Sequence, residues 1–564
     1  MKMTRRGFLG TGLACAAAAA AGQGGAPGAR ALWALPAAPR ADAPDYWCTW
    51  DTQAALAMGR SGYRTEIPAS PGDQGRPGVR DHLNEDILFG ARGLVNLYPG
   101  VRRYLSLVLD DGWDVPYAAH PWNKDLSVFS SLEPDPARFP SLKGTPGQRL
   151  RALARRVEDA GWRGLGLWVA CQGSGPDLYR AGREDARLVD QIKRKLAWCA
   201  EAGVTYWKVD WGARNRDSAF RALLTELKNE ICPGLLVEHC RGFDNALNGR
   251  PGTKKMPDGS VDITGPNGRV YGNDLYAEVN RQAAEIMAVS DTFRTYDVTC
   301  PMTTATALDR AAWAVDIADR LGARAVVNIE DEAVAAVCLG LATGVMRSAP
   351  NRAYEKTSPR TTFNRLREID RVLRWRQLSP AFGSDKGARL RVSDETIAES
   401  WHFERGDTWW EAVFGRTLVQ RAAARMTRGL PLPEVTGTAG EAPFVVASKN
   451  PVTGAVSVGA LPFLTVERKY HTPQADVALA AAVDGKTPLA VFGEMRSLAV
   501  DCARRFSAVL AQDVAGGEIH DISSACRWER GRLVLPGGLL AKIGREANGP
   551  GDLSSPGAWV KVVL

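Results

Sequence analysis

The chain has few of the residues that build a metal centre or a nucleic-acid surface. Histidine occurs six times in 564 residues, and neither HExxH nor CxxC spacing is present, so a zinc site has little support. No block of Lys and Arg of the kind that tracks phosphates stands behind the formal charge of +8, so a nucleic-acid partner is not expected. Ten cysteines over this length do not make a disulfide-dense scaffold, and the nine beyond Cys15 are scattered and odd in number, which leaves at least one unpaired. Cys502 and Cys526 are candidates for a local pair, whereas Cys171, Cys199 and Cys338 lie in apolar segments and read as buried small hydrophobes. There is no internal repeat and, outside the first residues, no low-complexity tract. What remains is ordinary: 45% apolar and 24% charged residues exclude a largely disordered or collagen-like chain. The length would suit three or four average domains of about 150 residues, unless one of them is an α/β barrel.

The start of the chain reads as an address. Thr4-Arg5-Arg6-Gly7-Phe8-Leu9 precedes an Ala-rich apolar stretch through Ala21, a Gly/Pro/Ala-rich run and the small residues Ala41-Asp42-Ala43. This resembles a bacterial twin-arginine signal peptide, which implies that residues 1–43 are signal and linker and that the protein is periplasmic or secreted. The apolar stretch is shorter than the ~20 residues needed to span a bilayer, and Cys15 lacks the Leu three residues earlier that a lipoprotein signal would have. No later run is long enough to span, so no membrane contact is expected after signal removal. Five of the 71 basic and one of the 63 acidic residues lie in this leader, so the formal charge falls from +8 to +4 without it.

From residue 44 to about 385, β-rich runs alternate with helical patterns. The expected strands are 46–50, 104–109, 165–169, 204–209, 235–238, 286–289, 325–328 and 344–346. One intervening helix carries Leu150, Leu153, Ala154 and Val157 on one face and stops at Gly161; another carries Leu188, Ile192, Leu196 and Cys199 and stops at Gly203. Near-continuous apolar strands alternating with helices predict a parallel sheet, and eight such units predict a (β/α)8 TIM barrel of the α/β class. From 386 to 564, short strands between Gly, Pro and Asp turns predict a C-terminal antiparallel β-sandwich.

In a parallel barrel the reactive groups sit where strands end, because only that rim gathers residues from many strands around one point. Acids crowd these ends: Asp110-Asp111-Gly112-Trp113 after the second strand, Lys208-Val209-Asp210-Trp211 at the fourth, Glu238-His239 at the fifth, Asp291 through Asp297 after the sixth, and Glu330-Asp331-Glu332 after the seventh. A single Asp after a strand is commonly a helix cap, but five acidic ends with interleaved Trp and Arg exceed what capping needs. Such a ring suits divalent metal binding or glycoside cleavage by paired carboxylates. Lys208 beside Asp210 and Arg294 beside Asp297 favour the second, since cations compete with a metal but can donate to hydroxyls and hold a carboxylate ionised. Trp47, Trp113, Trp168, Trp207 and Trp211 offer faces for a sugar ring, or fill core space.

At these residues the sequence resembles the retaining α-galactosidase clan, glycoside hydrolase family 27 and more loosely family 36. Asp110-Asp111-Gly112-Trp113 matches Asp-Asp-x-Trp, Tyr206-Trp207-Lys208-Val209-Asp210 matches the Tyr-x-Lys-x-Asp nucleophile strand, and Phe293-Arg294-Thr295-Tyr296-Asp297-Val298 matches the acid/base segment with one residue fewer between Arg and Asp. The resemblance implies an exported glycosidase for an α-galactoside or related sugar, with Asp210 as nucleophile and Asp297 as acid/base. It also implies that Asp110, Asp111, Trp113, Lys208, Glu238, His239, Asp291 and Arg294 contact substrate, Asp291 doubling as rival proton donor. No metal or organic cofactor is required, and the partner is an oligosaccharide or polysaccharide. A metal-dependent inverting hydrolase and a non-catalytic sugar-binding barrel are the alternatives.

Overall fold

A computed structural model describes residues 31–35, 45–50, 52–53, 80, 82–91, 93–115, 130–241, 254–262, 274–295, 303–330, 332–345, 362–402, 415–437, 442–464 and 470–564. Eight parallel strands form one sheet: β1 (Tyr46–Cys48), β2 (Ser106–Leu109), β3 (Gly164–Val169), β4 (Tyr206–Val209), β5 (Leu236–Cys240), β6 (Thr292–Arg294), β7 (Val326–Asn328) and β8 (Gly344–Val345). β8 pairs with β1, and an Asn328–Ala342 bridge with the Ala342 amide donating to Val327 O at 2.9 Å joins β7 to the start of β8. The sheet is therefore a closed (β/α)8 barrel.

Seven helices follow the later strands: α1 (Pro146–Asp159), α2 (Ala186–Ala202), α3 (Ser218–Ile231), α4 (Asp274–Ala288), α5 (Thr303–Leu321), α6 (Ala333–Cys338) and α7 (Thr362–Arg376). Their ends obey local chemistry. Thr145 and Gln148 form a reciprocal capping box at α1, Asp185 and Asp217 accept backbone N–H bonds at the starts of α2 and α3, and α2 stops where Gly203 adopts φ 75°. Outward strand residues such as Leu107, Leu167, Val209, Val237 and Phe293 meet the buried helix faces in one large core.

One expected strand was misplaced. The run Ile286-Met287-Ala288 is the end of α4, where Val279, Ala283, Ile286 and Met287 recur at helical spacing and are buried, and the sixth strand begins only at Thr292. Asp291 thus precedes β6 instead of following it.

The C-terminal region stacks an eight-stranded and a five-stranded sheet around a shared core that includes Val445, Val458, Leu479, Leu498, Leu533 and Val560. Pairing is mainly antiparallel, as a sandwich requires, but three pairs are parallel: 425–428 with 444–449, 456–461 with 489–493, and 476–482 with 497–501. Strand Thr417–Ala423 also takes up Val261–Asp262, a short strand from the β5–α4 connection, so the barrel contributes to a C-terminal sheet. Cys502 and Cys526 are both free thiols, and the local disulfide considered from sequence does not form. Cys171, Cys199 and Cys338 are buried, in keeping with their apolar surroundings. Residues 1–30, which hold the twin-arginine segment, lie outside the described residues, but Leu32 just after them is packed, with its amide donating to Gln512 Oε1 at 2.8 Å.

Candidate active site

Strand alternation decides which side chains enter the barrel. Tyr46, Cys48, Val108 and Tyr206 meet in its interior, while Trp47 and Phe293 between such positions join the helix-facing core. Gly166 is required there, since a Cβ would stand 2.7 Å from Val108 Cγ2. Following the same parity toward the strand ends brings Asp110, Trp168, Lys208, Asp210, Glu238, Cys240, Arg294 and Asn328 into one cluster linked by the contacts below.

Asp210 stands at its centre. Its Oδ1 pairs with Arg294 Nη2 at 3.0 Å, its Oδ2 lies 4.0 Å from Lys208 Nζ, and Trp168 Nε1 and Cys240 Sγ donate to it at 3.2 and 3.4 Å. Burial pushes this carboxyl up, but Arg294 and then Lys208 outweigh it and hold Asp210 at about 2. Lys208 Nζ donates to Asp110 Oδ2 at 2.8 Å, and the Cys48 thiol donates to the same oxygen at 2.9 Å. Burial alone would depress Lys208, yet Asp110 and its other neighbours keep it well above the usual ammonium range. Asp111 receives Arg80 Nε and Nη2 on Oδ2 at 3.0 and 2.9 Å; burial, opposed by Arg80, leaves it at about 6.

Arg294 organises the other side. Its Nε faces Glu238 Oε1 at 3.0 Å and its Nη1 faces Glu330 Oε1 at 3.3 Å. Glu238 Oε2 accepts from Tyr206 OH at 3.0 Å and Asn328 Nδ2 at 2.8 Å, and Tyr46 OH lies 3.2 and 3.1 Å from Glu238 and Glu330. Trp211 tilts against Trp168 with ring centroids 5.9 Å apart, close to Asp210.

Several expected contacts fall elsewhere. His239 points outward between β5 and α3, where its ring nitrogens meet Arg221 Nη1 at 3.1 Å and Thr225 Oγ1 at 2.9 Å; burial and then Arg221 hold it well below the usual imidazole range. It has the wrong strand parity to reach a substrate. Asp291, at the start of β6, accepts from the Val237 amide at 2.9 Å and from Lys228 Nζ of α3 at 2.8 Å, which puts it at the opposite end of the strand from Arg294. Trp113 is fully buried and its indole donates to Trp168 O at 2.9 Å, so it supports Trp168 from behind and offers no face. Trp47 and Trp207 also belong to the core. Asp297 and Asp331 lie outside the described residues. Asp110, Asp111, Lys208, Asp210, Glu238 and Arg294 converge.

Sequence reasoning passed over Arg80, Tyr46, Cys48, Cys240 and Asn328 as site residues, and gave Glu330 no role beyond its place among the acids after the seventh strand. Tyr46, Cys48, Cys240 and Asn328 were recoverable from alternation once Lys208 and Asp210 were placed inward; Arg80, far from any strand, had no such signal. Among the described residues no group of three or more His, Cys, Asp or Glu side chains could hold a metal ion.

No known family profile and no curated protein matches the chain. Solved structures resemble it only distantly. The α-galactosidase I of Mortierella vinacea is 11% identical, with a TM-score of 0.34 over 93% of this chain and 98% of its own. A glycoside hydrolase family 27 β-L-arabinopyranosidase from Geobacillus stearothermophilus is 12% identical, with a TM-score of 0.34 over 81% and 87%. The α-galactosidase of Saccharomyces cerevisiae, solved with raffinose, is 9% identical, with a TM-score of 0.36 over 93% and 100%. At these scores the likenesses carry no argument about activity, and the chain is similar to these glycoside hydrolases without being assigned to their family.

Proposed function

We propose that the protein is a retaining glycoside hydrolase that acts on an α-galactoside or a stereochemically related sugar such as a β-L-arabinopyranoside. The observation that carries this reading is Asp210: a carboxylate at a barrel strand end, held ionised at about 2 by Arg294 and Lys208 with Asp110 anchoring the lysine. A group in that state is a ready nucleophile and a poor proton donor, the division of labour that double displacement demands.

In the first step an Asp210 oxygen forms a bond to the anomeric carbon as the bond to the leaving oxygen breaks, and Asp297, three residues beyond Arg294, gives that oxygen its proton. In the second, water attacks the same carbon, its proton passes to Asp297, and Asp210 departs as carboxylate; two inversions give net retention. Asp110 and Asp111 accept hydrogen bonds from sugar hydroxyls, and Trp211, half-buried against Trp168, supplies apolar surface for the ring. The twin-arginine segment supports export of the enzyme to the periplasm or beyond.

The test is hydrolysis of aryl glycosides that differ at C4 and C5, with product stereochemistry followed by NMR. Retention with an α-galacto-configured substrate, lost in Asp210→Ala and in Asp297→Ala, is expected. Wild-type turnover by both variants, or inversion, would overturn the reading, and loss of activity on exhaustive chelation would favour the metal-dependent alternative.

A further inference from the structure

Each nitrogen edge of Arg294 faces a different carboxylate: Nη2 faces Asp210 at 3.0 Å, Nε faces Glu238 at 3.0 Å and Nη1 faces Glu330 at 3.3 Å. Glu238 is in addition tied by Tyr206 and Asn328. Glu330 is delivered differently. It follows β7 in the left-handed region, at φ 44°, a conformation that is strained for a non-glycine residue and persists only where surroundings impose it. Asn328 imposes it: its Oδ1 accepts from the Glu330 amide at 2.9 Å, while its Nδ2 donates to Glu238 and to Tyr46 OH. The Glu332 amide closes the turn on Glu330 O at 2.7 Å. The chain bends sharply to place this carboxylate, only 6% exposed, against the guanidinium that also serves Asp210.

Stability does not call for it. Among the described residues, the cations seen beside Asp110, Asp210, Glu238 and Glu330 are Lys208 and Arg294. A buried surplus of negative charge is a cost in the resting protein.

We propose that Glu330 is a positioning residue that shares Arg294 with Asp210, so that the nucleophile stays ionised without being held too tightly to attack. The inference rests on the double-displacement reading and acts through Arg294 alone; Glu330 need not touch substrate. The two chemical steps should respond differently to loss of the Glu330 charge. With Glu330 neutral, Arg294 stabilises the Asp210 carboxylate more strongly. Attack on the anomeric carbon then slows, because the nucleophile is less reactive, whereas breakdown of the glycosyl-enzyme does not slow, because Asp210 is a better leaving group.

Glu330→Gln keeps size and removes charge. It is compared with wild type on two α-galactosides, a 4-methoxyphenyl one whose kcat/KM reports glycosylation and a dinitrophenyl one whose kcat, after a burst, reports deglycosylation. The expected result is a fall of at least tenfold in the first with the second unchanged or raised. Glu330→Gly, which suits the left-handed backbone, should give the same split if the Gln variant folds poorly. Both steps slowed alike, as a merely structural role would give, or neither step altered, would overturn the proposal while leaving the double-displacement reading intact. A wild-type protein that shows no burst and no retention on any aryl glycoside would instead remove that reading, and this inference with it.

Discussion

Two neighbouring acids, Asp110 and Asp111, lie under different constraints. Asp111 is buried against a single arginine and sits at about 6, so it changes charge in the range where the enzyme would work. In the role proposed for it, accepting from sugar hydroxyls, its ionised form is the stronger acceptor. The kcat/KM is therefore expected to rise as pH passes upward through about 6, and Asp111→Asn should flatten that limb; a limb that persists unchanged in the variant would assign it to another group. The stability sign is opposite. Because the folded value is raised above the ordinary 3.8, the contribution of Asp111 is fully present below about pH 4 and is lost as pH rises through 6, up to about 3 kcal/mol. Asp210, depressed to about 2, favours the folded state above pH 4, and that benefit fades only as pH falls toward 2. Its replacement by Asn should lower turnover by more than about a thousandfold with the fold retained, checked by activity and circular dichroism together.

Among the elements, β4 was fully legible because Tyr206-Trp207-Lys208-Val209-Asp210 alternates cleanly and ends in a charged pair. β6 was not. Its hydrogen-bonded core is three residues long, Thr292-Phe293-Arg294, and the apolar run before it is the inner face of α4, which periodicity over four residues cannot distinguish from a strand. That one shift carried Asp291 to the wrong end of the strand. His239 was misread for the related reason that nearness to Glu238 in sequence means the opposite face in a strand. Glu330 stands among the acids expected after the seventh strand, but its contact with Arg294 was not legible, because it reaches the barrel only through a left-handed turn, which no propensity announces.

Helix α7 carries a buried guanidinium into the C-terminal sheets. Arg371 is buried between Asp513, at 2.9 and 3.0 Å, and Asp552, at 2.9 Å, with Ser554 Oγ accepting at 2.6 Å. Arg371→Ala leaves the buried Asp513 carboxylate without its guanidinium, while Asp552 keeps Arg367 Nη1 at 3.3 Å, and should cost about 3–5 kcal/mol, read as a lower denaturation midpoint, with turnover per folded molecule unaltered. A cost below 1 kcal/mol would mean that water replaces the guanidinium.

Across the molecule, the packing of residues 32 and 33 bears on where a twin-arginine signal would be removed. Leu32 is 8% exposed, its amide is bonded to Gln512, and Trp33 lies over Lys561 Nζ at 4.9 Å. We propose that signal cleavage occurs before Leu32, earlier than the Ala41-Asp42-Ala43 site suggested by composition. N-terminal sequencing of exported protein should find Leu32 retained, and a mature end at Ala43 or Pro44 would refute this.

Ala43 would in any case leave Asp45, whose carboxylate accepts from the Thr343 amide at 2.8 Å and pairs with Arg376 at 3.5 Å, where the first and last barrel strands meet. Arg376 also donates to Thr343 Oγ1 at 2.9 Å and to Leu341 O. The same helix, one and a half turns earlier, carries Arg371 into the C-terminal sheets. The latch of the barrel is thus mounted on a helix whose other anchor is made only when Asp513 and Asp552 have been synthesised. A fragment ending near residue 385 keeps the Asp45–Arg376 latch but loses Asp513 and Asp552 from the other end of its helix, and is expected to aggregate more readily than the full chain, read by size-exclusion chromatography.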